Sequence, residues 1–367
     1  MKIQMVDLTR QYHELKKEID GAVTAVLESG QFILGQEVKS LEKDLAEYVG
    51  AKHAISCANG TDALQISLMA LGVGPGDEVI TTPFTFVSTA EVAALLGAKV
   101  VFADIMEHSF NIDPKEVRKK ISRHTKAIVP VHLYGLPADM DELLEISSSA
   151  GIPIVEDAAQ AFGAEYHGRK VCSVGKVGCV SFFPSKNLGA YGDAGMVFTD
   201  DDSLAEKIRA IAVHGSRRKY YHEYVGLNSR LDTLQAAILR VKSRHLDRYN
   251  QLRAGFAKAY TERLRDVVLT PEVPSDRKHI FHQYTIRTEG RDKLLEFLKS
   301  AGIPSAIYYP VPLHLQEAYG NLNYKQGDFP IAERLSTEVL SLPMHPHLKE
   351  EEVESIASRI REFYGRK

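Results

Sequence analysis

The sequence predicts an α/β fold, a large domain with a mostly parallel sheet followed by a smaller C-terminal α/β domain. Three observations predict it. Short apolar runs rich in Val, Ile and Phe recur through the first 200 residues, at 78–82, 99–104, 127–132, 152–157, 178–183 and 195–199. Helix-like segments lie between most of them, at 62–71, 89–96, 114–121 and 140–150. After the triple aspartate at 200–202 the pattern turns mainly helical. Continuous apolar strands alternating with helices mark a parallel sheet buried on both faces.

Taken in order, residues 54–56 form a short strand that runs through a tight turn into a helix near residue 62. The runs at 178–183 and 195–199 are too close for a crossover helix, so one antiparallel or irregular connection is expected between them. Residues 232–249 have helical periodicity, with Leu234, Ile238, Val241 and Leu246 near one face. That helix is the expected bridge between a large domain of residues 1–250 and a small one of residues 251–367. The small domain carries strand candidates at 282–287 and 305–309, a helix at 291–301 and a terminal helix at 350–364.

Composition narrows the function classes. With 45 basic and 48 acidic residues the formal charge is −3, which provides no long-range field for a phosphate backbone. A dedicated nucleic-acid binder is therefore not expected. Cys57, Cys172 and Cys179 lack CxxC spacing and cannot build a disulfide framework, which points to a reducing compartment. No stretch approaches 18 consecutive apolar residues, and residues 1–7 lack the apolar region of a signal peptide. The expectation is a cytoplasmic protein with no membrane partner.

Four segments bear on chemistry. In Asn59-Gly60-Thr61-Asp62, Gly60 permits close backbone approach and Thr61 puts a hydroxyl beside the free N–H groups of a helix start. That suits a phosphate; the plainer alternative is a helix capped by Thr61 or Asp62. Gly72-Val73-Gly74-Pro75-Gly76-Asp77 follows a helix and precedes a strand, the reverse of what a dinucleotide fingerprint requires, and is structural. A nicotinamide-dependent oxidoreductase has no other fingerprint to rest on.

Ile154-Val155-Glu156-Asp157-Ala158-Ala159-Gln160 ends a buried strand in two acids and small residues. An acid at the carboxyl end of a parallel strand can pair with a ligand cation, and equally serves as a metal carboxylate or a helix cap. Ser181-Phe182-Phe183-Pro184-Ser185-Lys186 places a lysine just past an apolar strand. In a desolvated pocket such a lysine loses its proton and adds to a carbonyl. The neighbouring serines offer it a phosphate-binding role instead, and an exposed loop lysine is the plain alternative. Together, a phosphate cradle, a strand-end acid and a lysine are the parts of a pyridoxal phosphate site.

Those segments, with Asn228-Ser229-Arg230-Leu231-Asp232 and Leu342-Pro343-Met344-His345-Pro346, make the chain resemble the DegT/DnrJ/EryC1/StrS pyridoxal-phosphate sugar aminotransferases over nearly its whole length. The likeness is greatest to members that act at C3 of nucleotide-linked ketosugars, those using a 3-oxo-glucuronate included. The resemblance implies an aspartate-aminotransferase-type fold and a homodimer with active sites at the subunit interface. It implies that Lys186 carries the cofactor, Asp157 pairs with the pyridine nitrogen, and Gln160 faces the ring hydroxyl. Gly60, Thr61 and Ser181 would bind the phosphate, joined by Asn228 from the other subunit, and Phe86 would stack on the ring. The amino donor it implies is L-glutamate.

Two departures concern the loops around the site. The chain has Gly192-Asp193-Ala194-Gly195 where the family often has a further glycine, and Tyr308 before Tyr309-Pro310 where close relatives often carry His. Tyr309 and His314 are candidate sugar contacts. Arg230 can grip a sugar carboxylate with its planar fork, although relatives acting on neutral sugars share it. Arg217-Arg218-Lys219-Tyr220-Tyr221 reads as a solvated loop, with contact to the substrate diphosphate or the partner subunit as its alternative, and His345-Pro346-His347 as a packed turn rather than a metal site. A related dehydratase would carry histidine in place of Lys186, and a non-catalytic sensor would show a lost lysine or acid; the chain shows neither change.

Overall fold

In the strand Val155–Asp157 all three side chains are buried, because sheet and helix layers cover both faces. The computed structural model describes residues 3–366. Across the sheet the strands run Lys99–Phe102, Glu78–Thr81, Thr125–Ile128, Val155–Asp157, Val177–Ser181, Gly195–Thr199 and His53–Cys57. Parallel bridges from Ile128 to Ile154 and from Val131 to Asp157 join its three-stranded and four-stranded parts. Only Gly195–Thr199 is antiparallel to its neighbours, at the connection that is too short for a crossover helix.

Helix Gly60–Ala70 buries Ala63, Leu64, Ile66 and Leu68, and lies over Val177–Ser181 and Gly195–Thr199. It is apolar nearly all round because helices Ser88–Leu95 and Asp202–Ala212 flank it. On the opposite face Phe182 and Phe198 pack against Phe162 with ring centroids 5.5 and 5.8 Å away. Each such buried ring contributes about 2–3 kcal/mol of transfer free energy. Helices Leu8–Ser29 and Gln36–Val49, which the sequence reading did not assign, pack on Thr233–Ser243.

The C-terminal part has its own core. Tyr260, Tyr284, Ile286, Leu294, Leu340 and Ile356 are fully buried within it. Its strands Tyr284–Arg287 and Val339–Leu342 pair antiparallel, with Tyr284 opposite Leu342.

Two expectations need correction. The helix predicted over 232–249 is two, Thr233–Ser243 and Leu246–Leu264, broken at Arg244 and His245. The second continues well past residue 249, and its buried face includes Tyr249, Arg253 and Tyr260. Residues 305–309 are not a strand: only Ala306 bridges Ser341, because Pro304, Pro310 and Pro312 remove the N–H groups a longer ladder needs. The partner of Tyr284–Arg287 is Val339–Leu342 instead. No helix among the described residues is long and apolar enough to cross a membrane.

Candidate active site

Four parallel strands end on one edge of the sheet, and the residues that follow them meet there. This is where open α/β sheets present ligand-binding groups. Asp157 closes Val155–Asp157, Ser181 closes Val177–Ser181, Gly60 follows His53–Cys57, and Phe86 follows Glu78–Thr81.

Successive side chains of a strand point to opposite faces, which separates the two adjacent acids. Glu156 is fully buried and accepts from the backbone N–H groups of Cys172, Val174 and Gly175 at 3.0, 2.9 and 2.7 Å. Its Oε2 also lies 3.0 Å from His132 Nε2, whose Nδ1 accepts from Ala138 N. Glu156 therefore ties loops together. Asp157 faces the site, with Oδ1 accepting from Ala159 N at 3.1 Å and Oδ2 from Thr89 Oγ1 at 2.7 Å.

The helix start at Gly60 is capped by Asn59, whose side chain accepts from Asp62 N at 2.8 Å. Thr61 and Asp62 are therefore not the cap, and Thr61 Oγ1 instead meets Ser88 Oγ at 2.8 Å. A side chain at position 60 would collide with Ser181: an added Cβ would stand 2.5 Å from that of Ser181. This absence of a side chain lets the helix N-terminus and the Ser181 hydroxyl converge on one small acceptor.

Lys186 follows a tight turn in which its N–H donates to Phe183 O at 2.8 Å. Part of the side chain is open to solvent, but the amine is enclosed by protein. Loss of hydration lowers its pKa to about 8, and the nearby Asp157 charge opposes that shift. Next to it, Asn187 Nδ2 donates to Asn250 Oδ1 at 2.7 Å and to Ile280 O at 3.1 Å, fixing the loop to helix Leu246–Leu264 and to the segment that follows it.

Gln160 Oε1 accepts from Tyr134 N at 2.9 Å, and its Nε2 donates to the Tyr309 hydroxyl at 3.1 Å. The Tyr309 ring is 6.4 Å from that of Phe86, and burial pushes its hydroxyl pKa up. Phe86 is 55% exposed, so much of its ring is open beside Tyr309.

The structure thus brings Gly60, Thr61, Phe86, Asp157, Gln160, Ser181, Lys186 and Tyr309 together. Asn228 and Arg230 flank Ser229, whose hydroxyl accepts from Ala58 N at 3.0 Å just before the cradle. Among the described residues no hydrogen bond joins the exposed Asn228 side chain to this cluster, and its backbone bridges Val213. Arg230 lines a separate cavity of about 410 Å³ with Leu34, Val38, Arg209, Arg217 and Ser229. His314 requires correction as a sugar contact: its side chain is fully buried, held by Glu333 at 3.0 Å and packed on Phe329. Thr89, Ser88 and Tyr134 are contacts that the sequence reading missed.

These residues fit pyridoxal phosphate. A small-residue cradle suits its phosphate, an oriented carboxylate its ring nitrogen, an open aromatic face its ring, and a lysine of depressed pKa its aldehyde. The lysine gives a pH prediction. Attachment needs the neutral amine, whose fraction grows as pH rises through about 8. The rate at which apoprotein captures pyridoxal phosphate, followed by stopped-flow absorbance, is expected to level off above that pH. An unperturbed lysine would keep gaining to about 10.4.

Residues 13–361 match the DegT/DnrJ/EryC1/StrS aminotransferase family. A pleiotropic regulatory protein of Geobacillus stearothermophilus is 53% identical, covering 99% of both chains. The UDP-2-acetamido-2-deoxy-3-oxo-D-glucuronate aminotransferase of Pseudomonas aeruginosa is 49% identical, covering 98% of this chain and 99% of its own. The crystal structure of S. venezuelae DesV in complex with a ketimine intermediate superposes with a TM-score of 0.97 at 42% identity, covering 100% of this chain and 99% of its own. Identity at this level over nearly the full length leaves one assignment, and the chain belongs to the DegT/DnrJ/EryC1/StrS aminotransferase family.

Proposed function

We propose that this chain moves an amino group from an amino-acid donor, L-glutamate, to the C3 keto carbon of a UDP- or dTDP-linked ketosugar. The product is an amino sugar for a surface polysaccharide, such as the O-antigen of lipopolysaccharide, or for a related glycan. Pyridoxal phosphate is the cofactor. The observation that carries the reading is the meeting of Lys186, Asp157 and the Gly60–Ser181 cradle at the ends of parallel strands. The 3-oxo sugar in the name of the Pseudomonas aeruginosa relative supports the position of amination.

When bound, the cofactor supplies an electron sink for charge left on the carbon that loses a proton. The chain's residues do the rest. Lys186 Nζ holds the aldehyde end, and once displaced by the donor amine it takes the proton from the donor's α-carbon. Asp157 keeps a proton at the ring nitrogen, Phe86 covers one ring face against water, and Gln160 faces the ring hydroxyl. Gly60, Thr61 and Ser181 hold the phosphate, completed by the partner subunit's Asn228 in a cytoplasmic homodimer with shared sites. The exposure of the Asn228 side chain, with no hydrogen bond to its own chain's cluster among the described residues, supports that cross-subunit reading. Tyr309 contacts the sugar from one subunit, and the partner subunit's Arg230, two residues from the partner's Asn228, does so from across the interface. The separate core of the C-terminal part supports the division into two domains near residue 250.

The test is an absorbance spectrum of the purified protein with pyridoxal phosphate, before and after L-glutamate. The covalent lysine–cofactor band is expected to appear and then bleach. If no band forms in the wild type, catalysis is rejected and a sensing or binding role replaces it. UDP- and dTDP-linked 3-ketosugars then follow, assayed also with Arg230→Ala. A loss of about 30-fold confined to acidic sugars is expected for a fork on a carboxylate. An equal loss on neutral sugars assigns Arg230 to a group that all these substrates share.

A further inference from the structure

The first turn of helix Ser88–Leu95 lies across the candidate site and touches it at three places. Phe86, just before it, offers its ring; Ser88 Oγ meets Thr61 Oγ1 at 2.8 Å; Thr89 Oγ1 donates to Asp157 Oδ2 at 2.7 Å. Thr89 is 1% exposed and Asp157 5%, so no bulk water replaces that bond if it is lost.

The hydroxyl of Thr89 has one proton and two acceptors within reach, Asp157 Oδ2 at 2.7 Å and Phe86 O at 3.3 Å. A charged acceptor at the shorter distance takes it. Thr85 Oγ1, 3.3 Å away, is then placed to donate to Thr89, giving a chain from Thr85 through Thr89 to Asp157. The other carboxylate oxygen is held by Ala159 N at 3.1 Å. Two donors on two different oxygens fix the plane of a carboxylate; one donor leaves it free to rotate about its Cβ–Cγ bond.

We propose that Thr89 is a positioning residue for the Asp157 carboxylate, setting the plane in which it meets the ring nitrogen of the cofactor. This rests on the reading of Asp157 given above. Because Phe86, Ser88 and Thr89 lie within residues 86–89, the stacking ring, the phosphate-holding hydroxyl and the acid are set by one short segment. Asp157 reaches it from a strand end and Thr61 from the start of helix Gly60–Ala70.

The experiment uses Thr89→Val, close in volume to threonine, and Thr89→Ser, which keeps the hydroxyl and drops the methyl. The pyridoxal phosphate dissociation constant of each apoprotein is measured by absorbance titration, with kcat and KM for a ketosugar on the loaded enzyme. Thr89→Val is expected to weaken cofactor binding about tenfold and to lower kcat about tenfold with KM for the sugar unchanged. Thr89→Ser is expected to restore both to within about threefold of wild type. Equal impairment in the two variants would assign the effect to side-chain shape at position 89 rather than to the hydroxyl and overturn the proposal, as would a valine variant that binds and turns over like wild type. If the valine variant does not fold, the smaller Thr89→Ala replaces it in the same comparison. Absence of covalent cofactor in the wild type overturns the functional reading together with this one, whereas wild-type binding with an indifferent Thr89→Val overturns this one alone.

Discussion

Lys186→Ala is expected to keep the fold, lose covalent cofactor and lower turnover by at least about 10⁴-fold. The size follows from the two tasks removed together, a covalent attachment point and a proton carrier, of which the second alone contributes about 10²–10⁴-fold. The fold survives because the turn at Lys186 is held by its backbone N–H and by Asn187, neither of which the substitution touches. Stability itself is expected to rise. The folded protein holds the amine near 8 against about 10.4 in an unfolded chain, so burial of the ammonium costs up to about 3 kcal/mol. That cost is fully present below pH 8 and fades as pH approaches about 10.4. Thermal melts of apoprotein are therefore expected to favour the alanine variant at neutral pH, less the packing of the lost methylenes, and to converge with wild type in alkali. Wild-type turnover in the variant would remove Lys186 from the chemistry; a variant less stable at every pH would remove the strained-amine account.

Asp157→Asn is expected to slow both half-reactions by about a hundred- to a thousand-fold, the usual cost of removing one pre-placed electrostatic partner. The local hydrogen bonds accept the amide without rearrangement of the chain. Ala159 N can only donate, so the amide oxygen must face it. The amide nitrogen then faces Thr89, whose hydroxyl turns to donate to Phe86 O. What is lost is the negative charge that keeps a proton on the ring nitrogen. Single-turnover absorbance with donor and with ketosugar checks each half separately. Unchanged rates in both would remove the electron-sink role of this acid.

The sheet was legible because its strands are buried on both faces and therefore continuous in apolar residues, with turn residues between them. The strand ends that carry Asp157 and Ser181 were legible for the same reason: polar residues appear abruptly after an apolar run. The C-terminal part was less so. Val339–Leu342 follows helix Pro330–Glu338 with no turn residue between, so its four buried residues look like a continued helix. The break at Arg244 and His245 carries neither glycine nor proline to announce it. Thr89 was invisible for a different reason. Its partner lies 68 residues away in sequence, and nothing in a Ser-Thr-Ala run distinguishes a hydroxyl that serves a distant acid from one that begins a helix. The buried position of His314 was likewise set by Glu333 and Phe329, outside its own segment.

The contact between Gly60 and Ser181 has a consequence for lineages rather than for one molecule. With 2.5 Å left for a Cβ, position 60 can gain a side chain only if the strand end at 181 retreats, and the two groups then no longer converge on one acceptor. The two sites are thus bound to drift as a pair. A substitution at either position is therefore expected to need a compensating change at the other to leave the cradle closed.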